Sequence, residues 1–236
     1  MYKRIILKLS GETLAPETLE GAKSPTFDAL RVEEVARVIA ELAGMGVQVG
    51  VVMGGGNIWR GRFSEEMNAV NADQMGMLAT VINALAVEDA LCRLGRKATV
   101  FTAQEMNRFA RLYTAKAAIE CMENGEIVLL AGGTGNPFFT TDTGAALRAA
   151  ELKADAVFKG TTVEGVYDSD PRKNPDAQLI RDISYREAVT RGLRVMDLTA
   201  ATLCKDNHIK IHVFAIAEEG NVMRAVLGEN IGTIIE

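Results

Sequence analysis

The chain has few of the residues that build cross-linked or metal-centred proteins. It contains three cysteines, Cys92, Cys121 and Cys204, and two histidines in 236 residues. The cysteines lie far apart and form no CxxC pair, so the sequence predicts reduced thiols rather than a disulfide framework or a zinc site. His208 and His212 flank a predicted strand without a nearby carboxylate, which favours structural roles over a metal pair.

Long apolar runs and a surplus of basic residues are also missing. No segment offers the roughly 18 uninterrupted apolar residues of a membrane span, and the first residues do not begin a signal-like stretch. The net charge of -5 argues against a nucleic-acid binder, because such proteins usually carry excess lysine and arginine. We therefore expect a cytoplasmic protein that contacts neither membrane nor nucleic acid.

Three common nucleotide-site motifs are absent as well. The sequence has no GxxxxGK[ST], which disfavours a P-loop kinase, and no GxGxxG after its first predicted strand, which disfavours a dinucleotide oxidoreductase. The HRD and DFG motifs of protein kinases are also missing. A nucleotide-binding protein with this sequence must therefore use other loops.

Short apolar runs alternate with stretches of helical periodicity along the whole chain. Strands are predicted at 5–9, 47–53, 98–101, 127–131, 156–158, 209–214 and 234–235. Helices are predicted at 32–43, 75–94, 114–122, 142–152, 197–205 and 222–227, and another begins at a capping box formed by Ser184 and Glu187. The polar segment 161–183 is predicted as a hairpin or loop excursion. This α/β alternation predicts a three-layer αβα sandwich with a central, mostly parallel sheet, formed by one domain over residues 1–236.

Glycine-rich segments follow four of the predicted strands. They read KLSG at 8–11, GGGN at 54–57, GGTGN at 132–136 and KGTT at 159–162. Because the carboxyl ends of parallel strands meet at one edge of a sheet, these loops are expected to converge on one crevice. Glycine lets the backbone approach a ligand, and free N–H groups bind anions. One such loop alone is an ordinary turn, but four on one edge, two of them with lysine, predict a polyphosphate site.

Several of these segments resemble a known family. KLSGE at 8–12 and GGGN at 54–57, followed by Arg60-Gly61, resemble the amino-acid-kinase superfamily. Within it, DQMGMLAT at 73–80, GTGNPFFTTD at 133–142 and VMDLT at 195–199 are similar to bacterial uridylate kinases. The resemblance spans nearly the whole chain, and GTGNPFFTTD is highly specific, whereas GGGN alone is not. It implies the amino-acid-kinase fold and transfer of the γ-phosphoryl group of ATP to UMP, a step of pyrimidine nucleotide synthesis.

The resemblance also implies roles for individual residues. Lys8, Arg60 and Asp197 would be catalytic: Lys8 and Arg60 near the phosphates, and Asp197 orienting Lys8. The residues that bind ATP would be Lys8, Leu9, Ser10, Gly11, Gly56, Arg60, Thr161, Tyr167 and Asp170. The residues that bind UMP would be Gly55, Asp73 at the ribose, and Thr134, Gly135, Asn136, Pro137, Phe138, Phe139, Thr140 and Thr141 around the phosphate and base.

These roles agree with the needs of phosphoryl transfer, which requires aligned phosphates, neutralised charge and excluded water. Mg²⁺ would enter with ATP, and no residue is a certain metal ligand. Asp142 is either the N-cap of a helix or a neighbour of the magnesium ion. Phe138 and Phe139 pack either on the pyrimidine or in the core. Trp59, beside the second glycine loop, is expected to be a packing residue.

Regulation and assembly are further implications of the resemblance. It implies a homohexamer under allosteric control, with UTP as inhibitor, and the apolar helix at 75–91 permits a subunit interface. Many relatives carry a Gly-Phe-Gly stretch that is tied to activation by GTP. Segment 21–28 of this chain reads GAKSPTFD instead, so activation by GTP is in doubt.

Two other functions stay open at this stage. A kinase of a small acid, such as aspartate, glutamate, acetylglutamate or carbamate, shares the lysine and glycine loops but not GTGNPFFTTD or DQMGMLAT. A nucleotide- or oxyanion-binding protein without catalysis, acting as a sensor or store, would have the same fold. Against it stand Lys8, Arg60, Asp73 and Asp197, which are all present. Turnover of ATP with UMP distinguishes these functions.

Overall fold

The computed structural model describes residues 1–16, 26–61, 67–171, 173–193, 195–216, 218 and 220–236. Its strands are β1 (Arg4–Leu9), β2 (Gln48–Met53), β3 (Ala98–Thr102), β4 (Arg111–Leu112), β5 (Ile127–Ala131), β6 (Ala156–Thr161), β7 (Val166–Tyr167), β8 (Leu179–Ile180), β9 (Asp182–Ile183), β10 (Lys210–Ala215) and β11 (Thr233–Ile235). Its helices are α1 (Ala29–Gly44), α2 (Ala69–Arg93), α3 (Ala115–Glu123), α4 (Thr141–Glu151), α5 (Tyr185–Thr190), α6 (Leu198–Asp206) and α7 (Asn221–Leu227), and a short 3-10 helix spans Gly11–Leu14.

One large sheet organises these elements. Its nine strands run in the order β4-β3-β5-β2-β1-β6-β10-β11-β9, so β1 lies at the centre. Of the pairings in this sheet, β10 with β11 is antiparallel and the others are parallel. The predicted mostly parallel sheet is confirmed. Helical connections between parallel neighbours explain the alternating pattern of the sequence.

Apolar side chains cover both faces of the sheet. Ile5, Leu7 and Leu9 of β1 belong to a buried cluster that also contains residues of α1, α2 and α7. Ile6, which points to the opposite face, belongs to a second cluster with residues of α3, α4 and α6. Burying such a side chain contributes roughly 1.5–3 kcal/mol. The two clusters account for the near-continuous apolar runs of the central strands and confirm the three-layer arrangement.

Four aromatic rings pack together next to β6 and β10. The Phe158 ring makes edge contacts with Tyr2, His212 and Phe214, at centroid distances of 5.2, 5.3 and 5.6 Å. His212 is fully buried, and its Nε2 is hydrogen-bonded to the carbonyl of Ile231. Burial lowers the pKa of His212, so the ring is neutral in the folded protein at pH 7. These contacts give His212 a structural role.

Polar side chains fix the starts of the helices. Ser184 Oγ accepts the N–H of Glu187 at 3.2 Å, so the predicted cap of α5 is confirmed. Asn68 caps α2 and begins it earlier than the predicted position 75. Helix α2 is long and apolar enough to cross a membrane by length and composition, a test that core helices also pass. It packs against α1, β3 and β5.

The segment after β6 leaves the large sheet. Strands β7 and β8 pair antiparallel, with Val166 opposite Ile180 and Tyr167 opposite Leu179. The hairpin predicted within 161–183 is therefore confirmed. Strands β4 and β9 were not predicted, because two residues are too short to show a period.

Candidate active site

The strand order brings the glycine loops together. Strands β2 and β5 lie on one side of β1, while β6 and β10 lie on the other. The strand order therefore changes sides at β1, and open parallel sheets bind ligands at such a switch point. Gly54 at the end of β2 donates its N–H to the carbonyl of Leu9 at the end of β1, 2.9 Å away. The predicted convergence of the loops after β1 and β2 is therefore confirmed.

Two lysines and one carboxylate form the centre of this edge. Lys8 of β1 and Lys159 of β6 are direct partners in the parallel register, so their side chains project from the same face. Lys8 Nζ lies 2.9 Å from Oδ1 of Asp142, and Lys159 Nζ lies 2.6 Å from Oδ2. The side chains are 14%, 16% and 14% exposed for Lys8, Lys159 and Asp142, so this triad is largely shielded from water.

The charges of the triad depend on one another. Burial opposes ionisation of Asp142, but the two ammonium groups outweigh it and hold the pKa of the carboxyl below its usual value. Burial, reinforced by Lys8, lowers the pKa of Lys159, although Asp142 opposes this effect. Lys159 also donates to the carbonyl of Val195 at 2.6 Å. With two cations and one anion, the triad presents excess positive charge to the crevice.

The structure corrects two expectations about carboxylates. Thr140, not Asp142, is the N-cap of α4: its Oγ1 accepts the N–H groups of Asp142 and Thr143. Asp197 caps α6 and accepts hydrogen bonds from the hydroxyls of Thr140 and Thr143 and from the N–H of Ala200. Those contacts occupy its oxygens, and the carboxylate that pairs with Lys8 is Asp142 instead. The catalytic assignment of Asp197 stays a prediction.

A cavity of about 340 Å³ opens beside the triad, on the β2 and β5 side of the crevice. Glycine backbones and side chains of α2 form much of its wall. Nine of the predicted residues line it: Gly55, Gly56, Arg60, Asp73, Thr134, Asn136, Phe139, Thr140 and Thr141. Gly135, Pro137 and Phe138 belong to the same loop without lining the cavity. The cavity is therefore lined by most of the residues assigned to UMP. Of the residues assigned to ATP, only Gly56 and Arg60 line it.

The two phenylalanines of this loop are not core residues. Phe138 is 72% exposed and Phe139 is 50% exposed, so the alternative that they pack in the core was wrong. Phe138 has a φ of 71°, a left-handed conformation that is rare without glycine. Its N–H donates to Oδ2 of Asp73 at 2.7 Å, which stabilises this backbone. Asp73 thereby links α2 to the loop that borders the cavity.

Arg60 and Trp59 have polar contacts at the rim of the cavity. Arg60 Nε donates to the carbonyl of Gly56 at 3.0 Å, and its guanidinium pairs with Glu12 from the first loop. Both partners are about half exposed, so the pair can exchange with a bound anion. Trp59 Nε1 donates to the carbonyl of Ala72 at 2.8 Å, which anchors the ring at the cavity wall. Trp59 is thus a packing residue that also borders the site.

Two buried polar residues of α2 form hydrogen bonds with the backbone of the glycine loops. Asn83 is fully buried, donates to the carbonyl of Gly54 at 2.7 Å, and exchanges two hydrogen bonds with the amide of Asn57. Thr80 Oγ1 accepts the N–H of Gly132 at 2.8 Å. Both residues were missed from the sequence. The available signal was two polar residues at i and i+3 on the buried face of an apolar helix.

The residues assigned to ATP divide between two places. Ser10 caps the 3-10 helix after β1, and Gly11 is packed so tightly that a Cβ would lie 2.4 Å from Oδ1 of Asn57. Leu9 is buried at the end of the same strand. The other three residues lie on the β6 side, away from the cavity. They are Thr161, whose hydroxyl donates to Val163, Tyr167, whose hydroxyl contacts Glu164, and exposed Asp170.

The side chains of the site fit a metal ion that enters together with substrate phosphates. Among the described residues, no group of three or more His, Cys, Asp or Glu side chains is placed to hold a metal ion. Asp142 faces two lysines, and Asp197 is occupied by hydroxyl and N–H donors. Magnesium commonly uses one or two carboxylates together with substrate phosphates and waters. Asp142 and Asp197 would therefore hold such an ion only together with substrate phosphates.

Comparison with known proteins agrees with this geometry. A profile of the amino acid kinase family matches residues 3–215. The uridylate kinase of Parabacteroides distasonis is 51% identical over 99% of this chain and 98% of its own length. The UMP kinase structures from Bacillus anthracis and Ureaplasma parvum superpose with TM-scores of 0.95 and 0.91, at 38% and 35% identity. Each superposition includes 100% of this chain. It includes 96% of the Bacillus anthracis chain and 99% of the Ureaplasma parvum chain. This chain belongs to the uridylate kinases of the amino acid kinase family.

Proposed function

We propose that this protein transfers the γ-phosphoryl group of ATP to UMP, giving ADP and UDP, as a step towards CTP. The observation that carries the proposal is the position of the lysine pair. Lys8 and Lys159 lie on the central strands, between the cavity and the loops on the β6 side. A group that passes from one side to the other must pass these two ammonium groups.

The arrangement supports a division of the crevice between two nucleotides. UMP would occupy the cavity, with Asp73 at its ribose and the 134–141 segment around its phosphate and base. ATP would bind along the first loop and the β6 side, near Thr161, Tyr167 and Asp170. In this order, the acceptor phosphate and the γ-phosphate would lie on either side of Lys8, as an in-line transfer requires.

The chain's own groups would supply most of the charge stabilisation. Phosphoryl transfer needs little covalent help from the protein, and preorganised cations stabilise the charge on the transferred group. Asp142 holds both lysines in place while leaving the triad with excess positive charge. Arg60 would exchange its partner Glu12 for a phosphate oxygen. Asp197, which ties the caps of α4 and α6 together, would keep the triad aligned with the loop.

A divalent metal ion, which we propose to be Mg²⁺, would enter bound to the phosphates of ATP. When bound, such an ion neutralises phosphate charge and fixes the geometry of the oxygens. The nearest carboxylates, Asp142 and Asp197, already have protein partners, so phosphates and waters would supply most ligands of this ion.

Neither alternative function accounts for the site equally well. A kinase of a small acid needs a cavity sized for a few heavy atoms, whereas this one holds about 340 Å³ and is partly walled by Trp59, Met77 and Phe139. A pure binding protein needs no buried lysine pair at the junction of two sites. The triad of Lys8, Lys159 and Asp142 therefore favours transfer over storage or sensing.

We also infer a cytoplasmic homohexamer in which residues 1–236 form one domain, and we infer that UTP inhibits the enzyme. Met75, Leu78 and Ile82, spaced for one helix face, are 39%, 50% and 47% exposed, which supports a subunit interface on α2. Strands from both ends of the chain share one sheet, which supports one domain. Activation by GTP stays in doubt: of segment 21–28, residues 21–25 lie outside the described part.

The direct test is a coupled assay of ADP release with ATP and Mg²⁺, in which UMP, CMP, aspartate and acetylglutamate are compared as acceptors. Strong preference for UMP is the expected result. Activity with an amino acid alone would refute the proposed substrate. Binding of nucleotide without turnover of any acceptor would favour the sensor or storage function. Light scattering of the same preparation tests the hexamer.

A further inference from the structure

A buried arginine contacts the loop that borders the acceptor cavity. Arg148 lies near the end of α4, and its side chain is 7% exposed. Its Nη2 donates to the carbonyl of Gly133 at 3.1 Å, and its Nη1 donates to Oε2 of Glu151 at 2.7 Å. Its Cζ lies 3.8 Å from the centroid of the Tyr113 ring, whose hydroxyl donates to the same Glu151 oxygen at 2.7 Å. The guanidinium is thus held on three sides.

The loop that Arg148 contacts is a tight turn with unusual backbone angles. The carbonyl of Gly132 accepts the N–H of Gly135 at 3.1 Å, and Gly132, Gly133 and Gly135 have φ values of 77°, 59° and 90°. Gly133 and Thr134 both line the cavity. Among the hydrogen bonds within the described part of the chain, none uses the N–H of either residue. Two backbone donors therefore border the cavity without a hydrogen-bond partner among the described residues.

Peptide geometry connects the arginine to one of these donors. The carbonyl of Gly133 and the N–H of Thr134 belong to the same peptide group. In a trans peptide these two bonds point in opposite directions within one plane, and no cis peptide bond occurs in the described residues. Because Arg148 fixes the direction of the carbonyl, it also fixes the direction of the N–H on the other side. A glycine at 133, free to adopt many conformations, makes such an external constraint necessary.

We propose that Arg148 is a positioning residue that aims the Thr134 N–H at an oxygen of the acceptor nucleotide. This role rests on the proposed function, since it assigns the cavity to the acceptor. Lysine is a poor substitute because it is a single charged point, whereas the planar guanidinium contacts the carbonyl, the carboxylate and the ring together. The charge can be buried here because the guanidinium has a carboxylate, a carbonyl and an aromatic ring as partners.

The test compares Arg148→Lys and Arg148→Met with the unmodified protein in steady-state assays that vary UMP and ATP separately. We expect KM for UMP to rise about 10-fold in both variants while KM for ATP changes by less than about twofold, since the lost contact orients one substrate. Glu151→Gln leaves the Gly133 contact in place and should give a smaller rise. Arg224→Met, which removes an exposed ion pair with Glu229, is the matched control.

Hydrogen exchange supplies a second readout that a general loss of stability does not mimic. UMP should slow exchange of the peptide covering residues 132–136 in the unmodified protein, and this protection should shrink in Arg148→Lys but not in Arg224→Met. If Arg148→Met does not fold, the test of the role is the protection of residues 132–136 by UMP in Arg148→Lys.

Two results would overturn the role, and they are distinguishable. If the unmodified protein does not turn over UMP, the proposed function fails and the role fails with it. If it does, but folded Arg148 variants keep the UMP KM, or change both KM values equally, only the role of Arg148 is wrong.

Discussion

Replacing Asp142 with asparagine tests how the lysine pair is held. The change keeps the size of the side chain and one oxygen but removes the negative charge that lies 2.9 Å from Lys8 Nζ and 2.6 Å from Lys159 Nζ. Removing one partner of a buried ion pair costs about 3–5 kcal/mol, because the remaining charge is left uncompensated. Since the asparagine oxygen still accepts one hydrogen bond, we expect a loss near the lower end, about 3 kcal/mol of unfolding free energy.

The same variant should separate catalysis from binding. With the carboxylate gone, the two ammonium groups should repel each other, and Lys8 should move away from its proposed position between the nucleotides. A displacement of about 1 Å from productive geometry can cost 10²-fold in rate, so kcat should fall about 100-fold. The site gains positive charge, so KM for ATP should stay the same or decrease. An increase in KM for ATP with an unchanged kcat would refute this reasoning.

The pH dependence of the stability difference checks the electrostatic cause. The pKa of Asp142 in the folded protein is below its usual value of 3.8, so the ionised carboxylate stabilises the fold above that pH, and the contribution is lost as the pH falls through the lower, folded-state value. Urea unfolding should therefore show a constant difference between the two proteins from pH 7 to pH 5 that shrinks below about pH 3.8. Asp89→Asn, which breaks an exposed pair with Arg93, should leave kcat unchanged. Equal unfolding midpoints at pH 7 would contradict the prediction.

Three further changes test other parts of the structure. Lys8→Ala should lower kcat about 10²-fold through lost charge stabilisation, and a folded variant with near-normal turnover would show that Lys8 is not catalytic. Asp73→Ala should mainly raise KM for UMP; an altered KM for ATP alone would place Asp73 at the wrong nucleotide. Because burial lowers the pKa of His212, its neutral form favours the fold above its usual pKa of 6.5, and stability should fall as the pH drops below that value. Thermal melting from pH 7.5 to pH 5.5 should show a weaker pH dependence for His212→Gln than for the unmodified protein, whereas His208→Asn should behave like the unmodified protein.

Much of the fold follows from local patterns. The buried strands were recognisable because strands covered on both faces are apolar at nearly every position, as in β2 and β5. The Ser184 cap was predictable because its partners lie within one turn. One of the two roles considered for Asp142, the N-cap of α4, was wrong, because Thr140 is an equally good cap two residues earlier and only the path of the preceding loop selects between them.

The candidate site was predictable only in part, for a physical reason. Lys8 and the glycine loops carry signatures in short segments, so they could be found from the sequence. The partnership of Lys8 with Lys159 depends on the register of β1 against β6, which no local pattern encodes. Likewise, Arg148 acts through the Gly133 carbonyl, and backbone acceptors leave no trace in a sequence.

The parallel register of β1 and β6 also governs when activity can appear during folding. Lys8 belongs to β1, and Lys159 is contributed by β6, which follows α1 to α4. A nascent chain therefore carries one half of the cation pair long before the other half emerges, and no amino-terminal fragment that ends before β6 can complete it. Turnover during refolding should consequently report the pairing of β1 with β6, a long-range event, rather than the earlier formation of the helices. The enzyme's own reaction thus serves as a readout of sheet closure.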